Sequence, residues 1–475
     1  MFLINYNKTF SDERALMKLL KWIKKVLRLP YTLYKLLKFV KDNQSTLIQL
    51  TTNRTTLEQL ANQKHAVDLS PIYISQALEK VSHVFTKKRT IIFDARGYFG
   101  DNIKYAYLAF VSKAKEKNIN CYFLTEDLVQ YNLLTQVGLP CMPLPFEEWG
   151  DKEMRILLET AVVFTCEHFY ARKFKTPLPY ALLAGAKKFQ LWHGFPIKRV
   201  GFLNLRTAKY YLAHNSLAAD MLASSITDAF LALSKSSKEM WLERLSFKDF
   251  LPFGFPRNDI FFKDLTNLDL LNVDDIAFKK VILANEQHRP VIFYTPTFRD
   301  FVGAHWFKDA KIDEIANFCK ENNYLFLVNL HPYEQSAISE LKELYPSILF
   351  VEPHTDIHPL IKYTDILIVD YSSIIFDFLL LDRPLIFYRP DHKNYLANSR
   401  TLISQYVDNM PGEIVSTPQE LQQSVSNAVK YQQKTSIDPF AKKREELRQE
   451  IFDHCDGNAA ERVINWTEEN YLPKE

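Results

Sequence analysis

Residues Thr364 to Asp391 read TDILIVDYSSIIFDFLLLDRPLIFYRPD, and this stretch decides the fold. Ile366 to Val369 is a short unbroken apolar run, the pattern of a strand buried on both faces, and Phe376 to Leu381 has the spacing and composition of a buried helix. Asp370-Tyr371-Ser372-Ser373 therefore falls on a strand-to-helix turn. Such a turn aims the first helix amides, two hydroxyls and a carboxylate at one spot beyond the carboxyl end of a strand, where open α/β sheets hold their ligands. An anion, most simply a phosphate, suits that spot. The alternative is an ordinary serine N-cap, worth about 1 kcal/mol.

The same alternation extends in both directions. Thr90 to Phe93, Cys121 to Leu124, Ala161 to Phe164, Phe189 to Trp192 and Ala229 to Leu233 are short apolar runs separated by helix-like segments such as Ile103 to Lys117 and Glu153 to Thr160. Val291 to Tyr294, Leu325 to Leu330, Ile348 to Val351, Ile366 to Val369 and Leu385 to Phe387 form a second set, with helices expected near Ile312 to Asn322, Glu334 to Leu344 and Ile374 to Leu381. The economical architecture is α/β, with two Rossmann-like doubly wound domains facing a cleft. The expected division is 1–87 for an appended segment and connector, 88–265 for an N-terminal domain on the acceptor side, and 266–475 for a C-terminal nucleotide-binding domain with closing helices.

A chain of 475 residues exceeds one typical core, and 47% hydrophobic with 24% charged residues is an ordinary globular composition. The five cysteines are scattered without paired spacing, which fits a reducing cytoplasm better than a disulfide framework or a zinc site. No uncharged apolar run approaches the roughly 20 residues of a membrane span, and no signal-peptide pattern opens the chain, so the protein is expected to stay on the side where it is made. Of the net charge of +3, the segment 14–41 alone supplies +9 and contains no Asp or Glu, which leaves −6 for the remainder. This argues against nucleic acid gripped by the body and for an anionic surface met by one segment. Leu16, Leu19, Leu20, Ile23, Val26 and Leu27 recur there at helical spacing, with Lys18, Lys21, Lys25 and Arg28 towards the other side. Such a helix lies in an acidic membrane interface, or else packs on the body with a solvated basic face.

Two histidines follow strands. His193 opens His193-Gly194-Phe195-Pro196, with Lys198 two residues on, and can act as a general base beside positive charge or simply cap a loop. His331 follows Leu325 to Leu330 in the same way. Arg299, after Thr295-Pro296-Thr297, has the fork geometry to bridge phosphate oxygens. Asp377 lies about one helical turn beyond Ser373, where it either orients the hydroxyls, contacts the nucleotide, or pairs with Arg383. Asp370 is expected to orient a neighbour, since a carboxylate beside phosphates repels them. No DxD ends a strand and no cluster has metal-ligand spacing, so a site without a metal cofactor is expected, in which Arg299, Lys198, helix amides and hydroxyls meet the phosphate charge.

The stretch DYSSIIFDF followed by RPLIFYRPD resembles the signature of the CDP-glycerol glycerophosphotransferases of teichoic-acid and capsule polymer synthesis. LWHGFPIKRVG (Leu191 to Gly201), GFPRND (Gly254 to Asp259), VIFYTPTFR (Val291 to Arg299), NLHPYE (Asn329 to Glu334) and DGNAAERV (Asp456 to Val463) agree in order. The resemblance covers roughly residues 90 to 465, leaving the first 87 outside. It implies the glycosyltransferase-B arrangement, with His193 and His331 as the two catalytic histidines; Lys198, Arg299, Asp370, Ser372, Ser373 and Asp377 are expected at the substrate and nucleotide-phosphate site from their own types and positions. The implied partners are CDP-glycerol and a lipid-linked polymer acceptor, on the inner face of the cell membrane. Phe195 stands where family members commonly have Thr, which bears on acceptor identity more than on reaction type. A CDP-ribitol donor, a nucleotide-sugar glycosyltransferase of the same fold and a non-catalytic scaffold of a polymer-export complex are the alternative readings.

Overall fold

The computed structural model describes the chain from Ala66 onward, apart from residues 96, 145–149, 167–176, 199–226, 244, 300–305, 332–333, 335–337, 399–401, 404–409 and 475. The basic segment 14–41 and the connector after it lie outside the described residues. Two compact units result, one built from residues up to Asp94, Lys113–Phe189 and Thr467 onward, the other from Ala95–Ser112 and Gln190–Trp466.

In the first unit, helix α1 (Ala66–Val84) precedes strands β1 (Lys88–Asp94), β2 (Asn120–Thr125), β3 (Cys141–Pro143), β4 (Thr160–Thr165) and β5 (Lys187–Gln190), which run in the order β3-β2-β1-β4-β5. β1 pairs in parallel with both β2 and β4 and is buried along its last five residues, as its apolar run requires. Leu78 and Val81 of α1 close one face over Ile92, Leu124 and Val163.

The second unit takes in helix α2 (Asp101–Lys113) as far as Ser112, a parallel pair β6 (Thr227–Leu231) and β7 (Phe247–Leu251), and a six-stranded sheet. That sheet comprises β8 (Val291–Thr295), β9 (Leu325–Val328), β10 (Leu349–Phe350), β11 (Ile366–Val369), β12 (Leu385–Tyr388) and β13 (Glu413–Val415). Its order, β10-β9-β8-β11-β12-β13, is that of a doubly wound fold with every pair parallel, and the connections change direction between β8 and β11. The strand β11 has the bounds expected from sequence and is buried throughout, as are its partners β8 and β12. Helix α3 (Ile312–Glu321) buries Ile312, Ile315, Ala316 and Cys319, one face at helical spacing. After the short helix α4 (Ile374–Leu379), helix α5 (Pro418–Gln432) starts at a Thr417–Glu420 capping box with Pro418 in its first turn.

The expected boundary at 265/266 falls inside the second unit, because buried polar ties hold the start of α2 to later segments. Lys104, wholly buried, donates to the carbonyls of Asp269 (2.6 Å) and Leu271 (2.7 Å) and pairs with Asp356 at 2.8 Å. Tyr105 and His358 meet the same Asp356 carboxylate at 2.6 and 2.9 Å.

Candidate functional site

The carboxyl ends of β8 and β11 lie side by side where the sheet changes direction, the place at which doubly wound folds bind ligands. Asp370 follows β11 and reaches across to β8, accepting the Thr297 N–H on both oxygens at 3.0 and 3.1 Å. It also accepts the Tyr371 N–H and pairs with Arg299 at 2.6 Å. Arg299 is 0% exposed, and its fork runs on to Asp391, with Nε and Nη2 at 2.7 and 3.0 Å from the two oxygens. Tyr395 faces the guanidinium at 5.0 Å from the ring centroid. Burial opposes the charge of Arg299, but Asp370 and Asp391 raise its pKa above the ordinary value. Sequence alone set Arg299 on phosphate oxygens; in the structure its donors meet Asp370, Asp391 and the Thr297 carbonyl, and it ties the turn together. Asp370 in turn binds Thr297, Tyr371 and Arg299 together at the strand end.

Ser372 and Ser373 are half-buried at the head of α4. Ser373 stands at the N-cap with no side-chain cap bond, so an ordinary cap does not account for its hydroxyl. Directly against it lies the turn that carries His193. β5 ends at Gln190, two residues earlier than its apolar run suggests, because Trp192 turns into the left-handed region at φ 55°. That conformation costs of order 1–2 kcal/mol, which burial of the indole against Phe230 and Trp241 offsets. The His193 ring stacks on Trp192 at 4.4 Å between centroids. Gly194 follows at φ 145°, and a Cβ there would come within 2.7 Å of Ser373 Oγ and 3.5 Å of Arg257 Nη2. Only glycine lets the two motifs approach so closely.

Arg257, from GFPRND, lies under this junction at 3% exposure. It forks onto Asp377, Nε to Oδ1 at 3.2 Å and Nη2 to Oδ2 at 2.7 Å, and donates from Nη1 to Asp101 at 2.6 Å. Burial works against the charge on Asp101, yet Arg257, with smaller help from His358, His193 and the Asn102 N–H, holds its carboxyl below the usual range. Asn102 completes the tie. Its amide donates to the carbonyls of Leu191 (3.2 Å) and Trp192 (3.1 Å) and its oxygen accepts the Arg257 N–H at 3.3 Å. The pairing of Asp377 with Arg383 does not occur; Arg383 instead donates to the carbonyls of Lys362 and Thr364.

Lys198 brings its ammonium to 3.5 Å from Thr297 Oγ1, beside the Asp370 turn, and its backbone bridges Leu402. His331 stands beyond β9, its ring 5.6 Å from that of Phe298. The structure thus brings the His193–Gly194 turn, Ser373 and Asp377 together at Arg257, and Lys198, Asp370 and Arg299 together at Thr297, while Ser372 accepts the Ile374 N–H at 3.5 Å and His331 is placed by its ring contact with Phe298. Arg257, Asp101, Asn102 and Asp391 were not singled out by the sequence reading. The first and last occur in the motifs GFPRND and RPLIFYRPD, while nothing local marks the other two.

Two parallel, doubly wound arrangements with candidate residues at a switch point define a glycosyltransferase-B-type fold. The wall teichoic acid polymerase TagF shares it, with a TM-score of 0.60 at 20% identity over 89% of this chain and 98% of that one. The chain belongs to the CDP-glycerol:poly(glycerophosphate) glycerophosphotransferase family, whose model matches residues 77–469. It is 25% identical over 448 residues to the teichoic acid ribitol-phosphate polymerase TarK of Staphylococcus aureus, covering 90% of this chain and 78% of that protein. To the teichoic acid poly(glycerol phosphate) polymerase of Bacillus spizizenii it is 28% identical over 262 residues, 53% of this chain and 64% of the relative. The chain thus spans under two thirds of that polymerase's length.

Proposed function

We propose that this protein transfers an alditol phosphate, glycerol phosphate in the first instance, from its CDP ester to a hydroxyl of a lipid-linked acceptor in teichoic-acid-like polymer synthesis. The acceptor oxygen attacks the phosphorus next to the alditol, the bond from that phosphorus to the CMP phosphate oxygen breaks, and CMP leaves. His193 takes the acceptor proton. Lys198, His331 and the Ser372 and Ser373 hydroxyls meet the phosphate charge, while Arg299, Asp370 and Asp377 hold those groups in position. The observation that carries this reading is the contact of the His193–Gly194 turn with Ser373, which joins a base to a phosphate-suited hydroxyl. The family's description names CDP-glycerol, and a TagF variant has been soaked with CDPG. CDP-ribitol is the second reading, supported by the relative aligned over 90% of the chain, a ribitol-phosphate polymerase.

Among the described residues no helix is long and apolar enough to cross a membrane. The nine cations of 14–41 support peripheral attachment to an acidic inner leaflet, where the acceptor would be anchored. The test is CMP release from CDP-glycerol and CDP-ribitol with a lipid acceptor on acidic vesicles. His193→Ala is expected to lower the rate about 100-fold or more with CDP binding near normal, and His331→Ala to weaken nucleotide contacts as well. Near-normal release by His193→Ala would remove it as base. Activity lost to a chelator and restored by magnesium would overturn the expectation of a site without a metal, and unchanged vesicle binding without residues 1–44 would end the membrane reading.

A further inference from the structure

We propose that Arg257 is a positioning residue of the transfer reaction, fixing the His193–Gly194 turn against Ser373 through Asn102 and Asp101 on one side and Asp377 on the other. This rests on the transferase reading above. Arg257 touches none of the reacting groups that reading names; its side chain is spent on two carboxylates and its N–H on Asn102. Stability alone is a poor account of such a cluster. A buried ion-pair group is often no more stabilising than apolar side chains of the same volume, because desolvation consumes the Coulombic gain. What the cluster supplies is geometry.

The fork fixes Asp377, and with it the face of α4 that begins at Ser373, in distance and in angle. The third arm holds Asp101, whose backbone is left-handed at φ 57° and whose carboxylate also accepts the Asn102 N–H at 2.6 Å. Asn102 in turn grips the two carbonyls immediately before His193. One guanidinium thereby sets the separation of base and hydroxyl, and the empty side of Gly194 leaves no slack for an alternative packing. A displacement of about 1 Å between such groups is enough to cost about 100-fold in rate.

The test uses the full chain with Arg257→Lys, which keeps the charge but cannot fork. CDP affinity by calorimetry is expected within about threefold of wild type, while kcat for CMP release per CDP-binding site falls about 30-fold with KM little changed. Asp101→Asn removes one arm without stranding a charge on Asp377 and is expected to lower the same kcat about 10-fold. It decides the matter alone if the lysine variant does not fold. A role confined to stability would lower the number of CDP-binding sites and leave kcat per site unchanged. That result in both variants overturns the proposal, as does loss of CDP affinity in Arg257→Lys equal to the loss of turnover. Absence of CMP release by wild type from either CDP-alditol would instead sink the transferase reading.

Discussion

Two buried arginines flank the Ser372–Ser373 turn, each set between two aspartates, yet they hold different things together. The partners of Arg299, Asp370 and Asp391, follow β11 and β12 in the same sheet whose β8 leads to Arg299 itself. The partners of Arg257, Asp101 and Asp377, lie 156 and 120 residues away along the chain, on α2 and α4. The first cluster ties together the carboxyl ends of three neighbouring strands of one sheet, across 71 and 92 residues of chain; the second joins helical segments outside that sheet. Identical chemistry thus serves two purposes, and the placement of the partners distinguishes them: a brace within one sheet governs whether the sheet end forms, a tie between elements outside it governs where one motif stands relative to another.

The sharpest way to break this contrast is Arg299→Ala. It strands Asp370 without its counter-charge where neither side chain has any exposure, and should cost about 3–5 kcal/mol, read as a large fall in the unfolding midpoint of the second unit. A wild-type midpoint would show that the brace does not govern folding.

Asp259 provides an intermediate case, a carboxylate met by helix amides instead of a guanidinium fork. It accepts the N–H groups of Ala459 and Ala460 at 2.9 and 2.8 Å, yet burial pushes its pKa up from 3.8 to about 6, the amides and Arg462 offsetting only part. Because the folded form holds this proton more tightly than the unfolded chain, the associated stability is fully present below about pH 4 and is lost as pH rises through about 6. Asp259→Asn removes the titration. Its stability relative to wild type should rise by about 1–2 kcal/mol between pH 4 and pH 7.5, a modest figure because the group is not wholly withdrawn from water. A constant difference across that range would show that helix amides compensate burial as fully as an arginine does.

Gly194→Ala should cost about 1–3 kcal/mol, for an L-residue strained at φ 145° whose Cβ would meet Ser373 Oγ at 2.7 Å. Its rate should also fall about 10-fold, since the new Cβ lifts the His193 turn off Ser373 while CDP affinity is kept. An unaltered kcat would mean that the turn tolerates movement and that the tie between elements is looser than the brace.

The contrast between strand-end pattern and tertiary pairing also marks what the sequence made legible. The central strand β11 and its flanking turns were readable because a strand covered on both faces must be continuously apolar. β3 and β13 have three residues each, too short for any periodicity, and β7 is only partly buried. His193, His331 and the serines stand at strand ends, where short-range pattern carries the information. The tie between Arg257 and Asp377 has no such signal. From one sequence the nearest opposite charge, Arg383, was a reasonable partner for Asp377, but the packing of α4 turned that carboxylate towards a segment 120 residues away. For Arg299 the residue type was legible and its orientation was not, because burial is decided by the whole sheet.

Asn102 carries a consequence that concerns the ageing of the protein. Its carboxamide is used at both ends, nitrogen towards two carbonyls and oxygen towards an N–H. Hydrolysis of that amide to a carboxylate, a common spontaneous lesion, would exchange one atom and press negative charge against the carbonyls of Leu191 and Trp192. The side chain has 0% exposure and sits in the first turn of α2, which shields it from attack by water and holds its backbone away from the cyclised intermediate. A preparation stored partly unfolded loses that shield. Refolded, it would contain molecules of normal mass to within one unit and normal secondary structure in which the turn before His193 no longer closes.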